Sequence, residues 1–320
     1  MPGRSTIHQV ARELGVSAST VSRAFNNPNK LLPSTVARVK EKSEEMGYVP
    51  NRHAQALSTG RTGIISLVVP DITNPFFPPM IRAAQRTAES AGLNVMVVET
   101  NSDPDRERSH IASLLPHCEG ILIASPRLSA AELQGIAQLT PLVLLNNDTE
   151  GVARVLLSTR KALCNALHHF SQMGARRVCY IGGPARSWSE SERRSTIEGQ
   201  ACALGLTLEV RRVESGTYAQ ARHIVAEDPP RADLVIGFDD IVACATLDGL
   251  ADAGVDVPGQ TSLLGCDDAL PVRTKPRIST ITVPTAVATH QAVKMIMGSS
   301  TNKLPEQRLL FHGELRIRET

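Results

Sequence analysis

The stretch TIHQVARELGVSASTVSRAFNN, residues 6–27, decides how this chain is read. Thr6 and Gln9 stand three apart, the spacing at which a threonine hydroxyl and a glutamine side chain each satisfy a free backbone group at a helix start. Ile7, Val10, Ala11 and Leu14 follow at i, i+3, i+4 and i+7, which gives one apolar face. Gly15 stops that helix, and Ser17 can cap a second whose apolar positions are Val21, Ala24 and Phe25. Two short helices joined by a tight glycine-containing turn predict a helix-turn-helix, whose second helix lies in the major groove of DNA. A third helix is expected from about Ser34 to Met46, apolar at Val36, Val39 and Met46 and stopped by Gly47.

The outward side of the second helix carries Ala18, Ser19, Thr20, Ser22 and Arg23. Small side chains let a helix approach the groove closely, and Arg23 can reach a guanine edge or a phosphate. Phosphate contacts are expected from the capped helix starts and from Thr6, Ser17, Ser22, Asn26 and Thr35. A three-helix module that binds protein is the competing reading of this pattern.

Charge supports the nucleic-acid reading. The 320 residues have a net charge of only +2, but residues 1–61 carry nine Lys+Arg against four Asp+Glu, a net of +5, and the remainder is −3. A basic head on a slightly acidic body suits a protein with one DNA-facing end. Hydrophobic residues at 42% and charged residues at 21% exclude disordered and fibrous classes and allow a large core. Six cysteines (118, 164, 179, 202, 244, 266) form no CxxC pair, so no zinc or redox site is signalled, and most, lying in apolar stretches, read as small core residues. With no export leader and no apolar run of about 18 residues, a soluble, cytoplasmic protein is expected.

From Gly63 the pattern changes to short apolar runs alternating with helix-period stretches. Strands are expected at Ile64–Val69, Asn94–Val98, Ile121–Ala124 and Leu142–Leu145, runs apolar enough to be buried on both faces, with helices near 77–91, 105–115 and 129–138. A second series has strands at Val178–Gly182, Leu208–Val213, Leu234–Gly237 and Ser262–Gly265, with helices near 159–173, 190–204, 218–227 and 240–253. Such alternation predicts two parallel, doubly wound sheets, hence two lobes, with a ligand cleft at the carboxyl ends of both sets of strands. No GxGxxG, GxxxxGK[ST], HExxH or GxSxG motif occurs, so no enzyme, cofactor or metal site is signalled. Of the acidic pairs Asp239-Asp240 and Asp267-Asp268, one member is expected to cap a helix and the other to hydrogen-bond a ligand.

Residues 6–27, followed by GYVPNRHAQALSTGRTG at 47–63, resemble the head and hinge of the lactose/galactose repressor family of bacterial transcription factors. The resemblance extends over essentially the whole chain. It implies an all-α helix-turn-helix head at 1–50 and a hinge helix at 51–61. A body like the periplasmic sugar-binding proteins then occupies 62–320, with lobe 1 at about 62–156 and 285–307 and lobe 2 at about 157–284 and 308–320. It also implies DNA contacts from the hinge at Asn51, Arg52, Ala54 and Leu57, the leucine wedging into the minor groove at the centre of the site. Leu57 as an ordinary packing residue of a linker is the alternative.

By the same resemblance, an effector would be held by Phe76 and Phe77 in the first cleft loop, by Asn146 at the end of the fourth strand, and by Arg193, Tyr218, Asp239 and Asp267. Trp188, the only tryptophan, shares a loop with Arg193 and could either stack on a ligand or pin that loop. The expected function is that of a DNA-binding regulator, a homodimer on a palindromic operator, acting as a repressor under a small, sugar-like effector. Without a heptad pattern after Arg316-Ile317-Arg318, a dimer rather than a tetramer is expected. The chain departs from the family at Thr196-Ile197, usually Gly-aromatic, at Ser158-Thr159, usually Asp-Asn, at Asp239-Asp240, usually Asn-Asp, and at Cys266, usually aromatic. These changes remove donors and ring surface from one lobe, and the alternative readings are an effector-independent DNA-binding regulator and a cytoplasmic small-molecule-binding protein.

Overall fold

The computed structural model describes residues 5–49, 62–213, 216–299 and 303–320, in two compact units, up to Gly63 and from Ile64 onward. In the first unit, helix α1 spans Ile7–Leu14. Thr6 accepts from the Gln9 amide, and the Gln9 side chain accepts from the Thr6 amide at 2.7 Å, a cap that contributes about 1 kcal/mol. Gly15 ends the helix in the left-handed conformation, φ 65°, with its amide on the carbonyls of Ala11 and Arg12. Helix α2, Ala18–Asn26, starts on the Ser17 hydroxyl, which accepts from the Thr20 amide at 3.1 Å. Helix α3 runs Pro33–Glu45, one residue earlier than the sequence predicts, because Pro33 takes the first helical position, where its missing N–H costs nothing. Val10, Ala11, Val21, Ala24 and Val39 are buried where the three helices meet.

The second unit contains two six-stranded sheets. The first comprises β1 (Ile64–Val69), β2 (Asn94–Glu99), β3 (Gly120–Ala124), β4 (Leu142–Leu145), β5 (Ala153–Ser158) and β11 (Arg308–His312) in the order β11-β5-β4-β3-β1-β2, all parallel. The helices interleaved with its strands are α4 (Phe77–Glu89), α5 (Pro104–Leu114), α6 (Ala130–Ala137) and α11 (Thr285–Met297). The second sheet comprises β6 (Arg177–Gly182), β7 (Thr207–Arg212), β8 (Leu234–Gly237), β9 (Ser262–Asp267), β10 (Ser279–Thr282) and β12 (Glu314–Arg316) in the order β12-β10-β9-β8-β6-β7. Only β12 runs antiparallel. Helices α7 (Arg160–Gln172), α8 (Trp188–Leu204), α9 (Tyr218–Glu227) and α10 (Asp240–Asp252) complete this lobe. Each sheet has an apolar cluster on either side, as both-face burial of its central strands requires.

Two features of the body differ from the sequence expectation. The stretch 94–98 is not buried on both faces: β2 is an edge strand with one neighbour, and Met96 is 39% exposed. The lobe boundaries also move. Residues 157–158 complete β5, and 308–312 form β11 beside it, so both belong to the first lobe rather than the second. The chain crosses after Ser158, at Val283-Pro284 and at Gly313. Hydrogen bonding explains the position of the third crossing, because the Gly313 amide donates to the Ser158 carbonyl at 2.9 Å and extends the β5–β11 pairing to the last residue before the turn. A Cβ on Gly313 would stand 2.9 Å from the Thr282 carbonyl oxygen, so two crossing segments lie in van der Waals contact because glycine occupies that position.

Candidate DNA interface and inter-lobe cleft

The outward face of α2 is built as its sequence suggests. Ser17, Ser19 and Arg23 are exposed, and Ala18, Thr20 and Ser22 half-buried. The Ser17 hydroxyl lies 2.7 Å from that of Ser19 and 2.9 Å from that of Thr20, a row of small oxygens at the helix start. No acidic residue lies in α2, and Arg23 makes no ion pair among the described residues. Thr6 is exposed at the start of α1, and Thr35 half-buried in the first turn of α3. Asn26 ends α2. Asn51, Arg52, Ala54 and Leu57 lie outside the described residues.

Between the lobes, the carboxyl ends of the strands enclose a cavity of about 80 Å³. Phe76 and Phe77 line it from the first lobe, and Arg193, Asp239 and Asp267 from the second, so five of the eight expected effector residues come together. Arg193 is almost fully buried. One Nη donates to Asp267 Oδ1 at 2.6 Å, the other donates to the Phe238 carbonyl, and the guanidinium carbon stands 4.9 Å from the centre of the Phe238 ring. Burial is the largest influence and opposes the Arg193 charge, but the attraction and hydrogen bond of Asp267 together with Cys266 and Tyr180 outweigh it and raise the pKa above the usual arginine value. The start of α8 sets this geometry: Ser187 caps it, and Glu190 accepts from the Tyr180 hydroxyl at 2.6 Å and the Gly183 amide at 2.9 Å. Gly183 in turn lets Phe238 lie against the backbone, for a Cβ there would fall 2.4 Å from the ring.

Asp239 links the lobes. Its Oδ1 accepts from the Val242 amide at 2.8 Å, and its Oδ2 accepts from Asn74 Nδ2 of the first lobe at 3.1 Å. Cap and cleft contact thus fall on one residue rather than on the two members of the pair. Asp240 turns away and holds the Ala269 amide and the Thr280 hydroxyl, each at 2.7 Å. Burial first, then repulsion from Asp267, pushes Asp239 up to about 6 and Asp240 up to about 7. Backbone strain collects here as well. Ser102, Ser125 and Asp267, with φ of 56°, 48° and 99°, all lie at strand ends and line the cavity.

The remaining three expected residues do not line this cavity. Asn146 is buried with its Oδ1 accepting from the Leu157 amide at 3.0 Å, a bond that joins the end of β4 to β5. Tyr218 begins α9 and donates its hydroxyl to Asp248 on α10. Trp188 opens α8 and lines a different cavity of about 300 Å³, beside Arg160, Lys161 and His312. Two departures from the family pattern find partners nearby. Ser158 and Thr159 hold the buried carboxylate of Glu192, and Ile197 is fully buried in the second-lobe core. Sequence reading missed Asn74 as the bridge and Arg127, which lines the cavity from the loop after β3. The available signal was position, since both follow the carboxyl end of a parallel strand.

A three-helix head with a polar, cap-lined second helix, together with a two-lobed body enclosing a polar cleft, defines a DNA-binding transcriptional regulator with a ligand-binding body. Residues 6–51 match the bacterial regulatory proteins of the lacI family, and residues 167–320 the periplasmic binding protein-like domain. A head matching the lacI family of bacterial regulatory proteins and a periplasmic binding protein-like domain thus occur in one chain. It is 29% identical to the HTH-type transcriptional regulator GalR of Escherichia coli over 97% of this chain and 94% of that protein. It is 27% identical to the regulator DegA of Bacillus subtilis over 99% and 98%. Its fold superposes on the Lac repressor dimer bound to operator and the anti-inducer ONPF with a TM-score of 0.86 at 20% identity, covering 99% of both chains. A transcriptional regulator CelR–cellobiose complex superposes at 0.69 with 24% identity, again over 99% of both chains.

Proposed function

We propose that this protein is a repressor that binds a palindromic operator as a homodimer in the cytoplasm, without enzymatic activity, and that a small polar effector between the lobes controls it. The face of α2 carries the DNA part of this reading: exposed hydroxyls at a capped helix start, an exposed Arg23, and no carboxylate to repel phosphate. One head of this size reads about half a site, so two heads related by two-fold symmetry suit a palindrome. Leu57 is assigned the minor-groove wedge of the hinge.

The effector part rests on polar groups from both lobes converging on one cavity, the arrangement in which a ligand favours lobe closure. Its present volume is below the several hundred Å³ of common ligand pockets, so entry requires the lobes to part, breaking the Asn74–Asp239 bond. The relative crystallised with cellobiose supports a hydroxylated ligand.

The test is a fluorescence titration of the full chain against DNA from upstream of its own gene and against random DNA, at two salt concentrations. Specific binding that weakens with salt is expected, because each neutralised phosphate releases counterions. Equal affinity for both DNAs, or affinity independent of salt, refutes the operator reading.

A further inference from the structure

The charged groups on the wall of the inter-lobe cavity are Asp71, Arg127, Arg193, Asp239 and Asp267. Four of them already have committed partners. Asp71 accepts from the amide and hydroxyl of Thr73 at 2.7 and 2.6 Å, Asp239 from Val242 and Asn74, and Asp267 is paired with Arg193. Arg127 differs. Its Nη1 donates to the Ser125 carbonyl at 2.8 Å, but no carboxylate is hydrogen-bonded to its guanidinium among the described residues. Its Nε is buried without a hydrogen-bond partner, and so is the Nε of Arg193 on the opposite wall.

Glu107 lies behind Arg127 and accepts from its backbone amide at 2.9 Å rather than from its side chain. Burial holds the Glu107 carboxyl above its usual range, although the Arg127 charge pulls it the other way. A buried guanidinium donor left unsatisfied is costly, and a planar fork facing a cavity is the shape that receives two oxygens of one anion. The two walls therefore differ in chemistry. The second lobe offers a mixed set, the free Arg193 donor beside the carboxylates of Asp239 and Asp267, which suits hydroxyl groups that both donate and accept. On the first lobe's wall no carboxylate is bonded to the Arg127 guanidinium among the described residues, and Glu107, set behind it, acts on its charge without a hydrogen bond to it.

We propose that the effector is a small polyhydroxy acid, an oxyanion on a hydroxylated carbon chain, with the anionic group on Arg127 and the hydroxyls on Arg193, Asp239 and Asp267. This rests on the reading of the cleft as an effector site and narrows it from sugar-like compounds to acidic ones. Arg127 is then the residue that determines specificity, and the Ser125 carbonyl orients its guanidinium.

Calorimetric titration of the full-length protein tests the assignment with matched ligands: D-glycerate, D-ribonate and D-gluconate, each against its alditol (glycerol, ribitol, glucitol) and its terminal phosphate ester. Each set shares a carbon chain, so the acid is the variable, and the phosphate arm separates carboxylate from phosphate recognition. At least one acid is expected to bind 10-fold or more tightly than its alditol. Arg127→Gln is expected to abolish that preference, the affinity for the acid falling about 10- to 100-fold relative to that for its alditol, since a charge-assisted contact is worth roughly that factor. If Arg127→Gln does not fold, as judged by its melting curve, Arg127→Lys is read instead and should lose part of the preference. Alditols that bind as tightly as the acids, or a preference unchanged in the Arg127 variant, overturn this inference and leave the effector reading standing. Failure of every compound to bind wild-type protein refutes both.

Discussion

Asp267→Ala removes the only carboxylate bonded to the Arg193 guanidinium among the described residues. The pair is 2.6 Å apart, with side-chain exposures of 5% and 6%, so the variant leaves a positive charge enclosed by the Phe238 ring, the Phe238 carbonyl and a neutral hole. Breaking a buried ion pair from one side costs about 3–5 kcal/mol, most of it the desolvation of the partner left behind. For a folding unit of this size, Ile64–Thr320, roughly 2–3 °C of melting temperature is lost per kcal/mol, which gives a fall of about 6–15 °C. Asp239, whose carboxyl also feels the Arg193 charge, brings the estimate toward the lower end. Removing both charges, with Arg193→Met added to Asp267→Ala, should restore part of the loss, because no uncompensated ion then stays buried. The assay is calorimetric melting of the full-length single variants and the double variant at pH 7.5. If Asp267→Ala melts within 2 °C of wild type, or the double variant is less stable by the sum of the singles, the pair does not balance a buried charge and this account of the cleft is wrong.

Further outcomes follow from the same geometry. Asp239 and Asp240 have native pKa values of about 6 and 7, above the unfolded value near 4, so the native state takes up protons between about pH 4 and 7 that the unfolded chain does not. Their stabilising contribution is complete below that window and lost as pH rises through 6 to 7. Asp240→Asn, which keeps the acceptor for Ala269, should therefore flatten the rise in melting temperature between pH 7.5 and pH 5, and an unaltered profile argues against it. Arg23→Ala is expected to weaken operator binding about 10- to 100-fold and random-DNA binding much less, from the 1–3 kcal/mol of a base contact; an equal loss on both DNAs makes Arg23 a phosphate contact only. Leu57→Ala should weaken operator binding with the melting temperature of the body unchanged, and undiminished affinity removes the wedge role. Gly313→Ala brings a methyl group to 2.9 Å from the Thr282 carbonyl oxygen and should destabilise the body by about 1–3 kcal/mol, as read from denaturant unfolding; wild-type stability means that the crossing relaxes freely.

Local rules were enough for the head. The Thr6–Gln9 box, the Gly15 stop and the Ser17 cap are each decided within four residues, so their spacing in the sequence is their geometry in the fold. The same holds for the alternating elements of the body, whose periodicity reports which faces are apolar. What sequence could not supply was the partner of each polar group. Asp239 and Asp240 are adjacent and chemically identical, yet one faces the cleft and the other bonds Ala269 and Thr280, because helix α10 begins between them and rotates the second away from the first. Asn146 stands at a strand end like the residues that line the cavity, yet its Oδ1 is taken by the Leu157 amide, a strand-to-strand bond fixed only when β4 and β5 pair. Trp188 is five residues from Arg193, and that spacing turns it about 140° around the helix, toward a different cavity. Arg127 carries no motif at all. Its importance arises because folding buries its Nε on the wall of a cavity and, among the described residues, leaves no carboxylate hydrogen-bonded to its guanidinium, and that shortage is a property of three-dimensional packing. By itself the sequence determined which elements form, which faces the head helices bury and which end of the chain suits DNA, since those are matters of local periodicity, capping and charge, whereas the half-exposed face of β2 came only from its place at the sheet edge. Which polar groups are satisfied inside the protein, and which are left to receive a ligand, was decided only by the tertiary structure, because hydrogen-bond satisfaction depends on neighbours far apart along the chain.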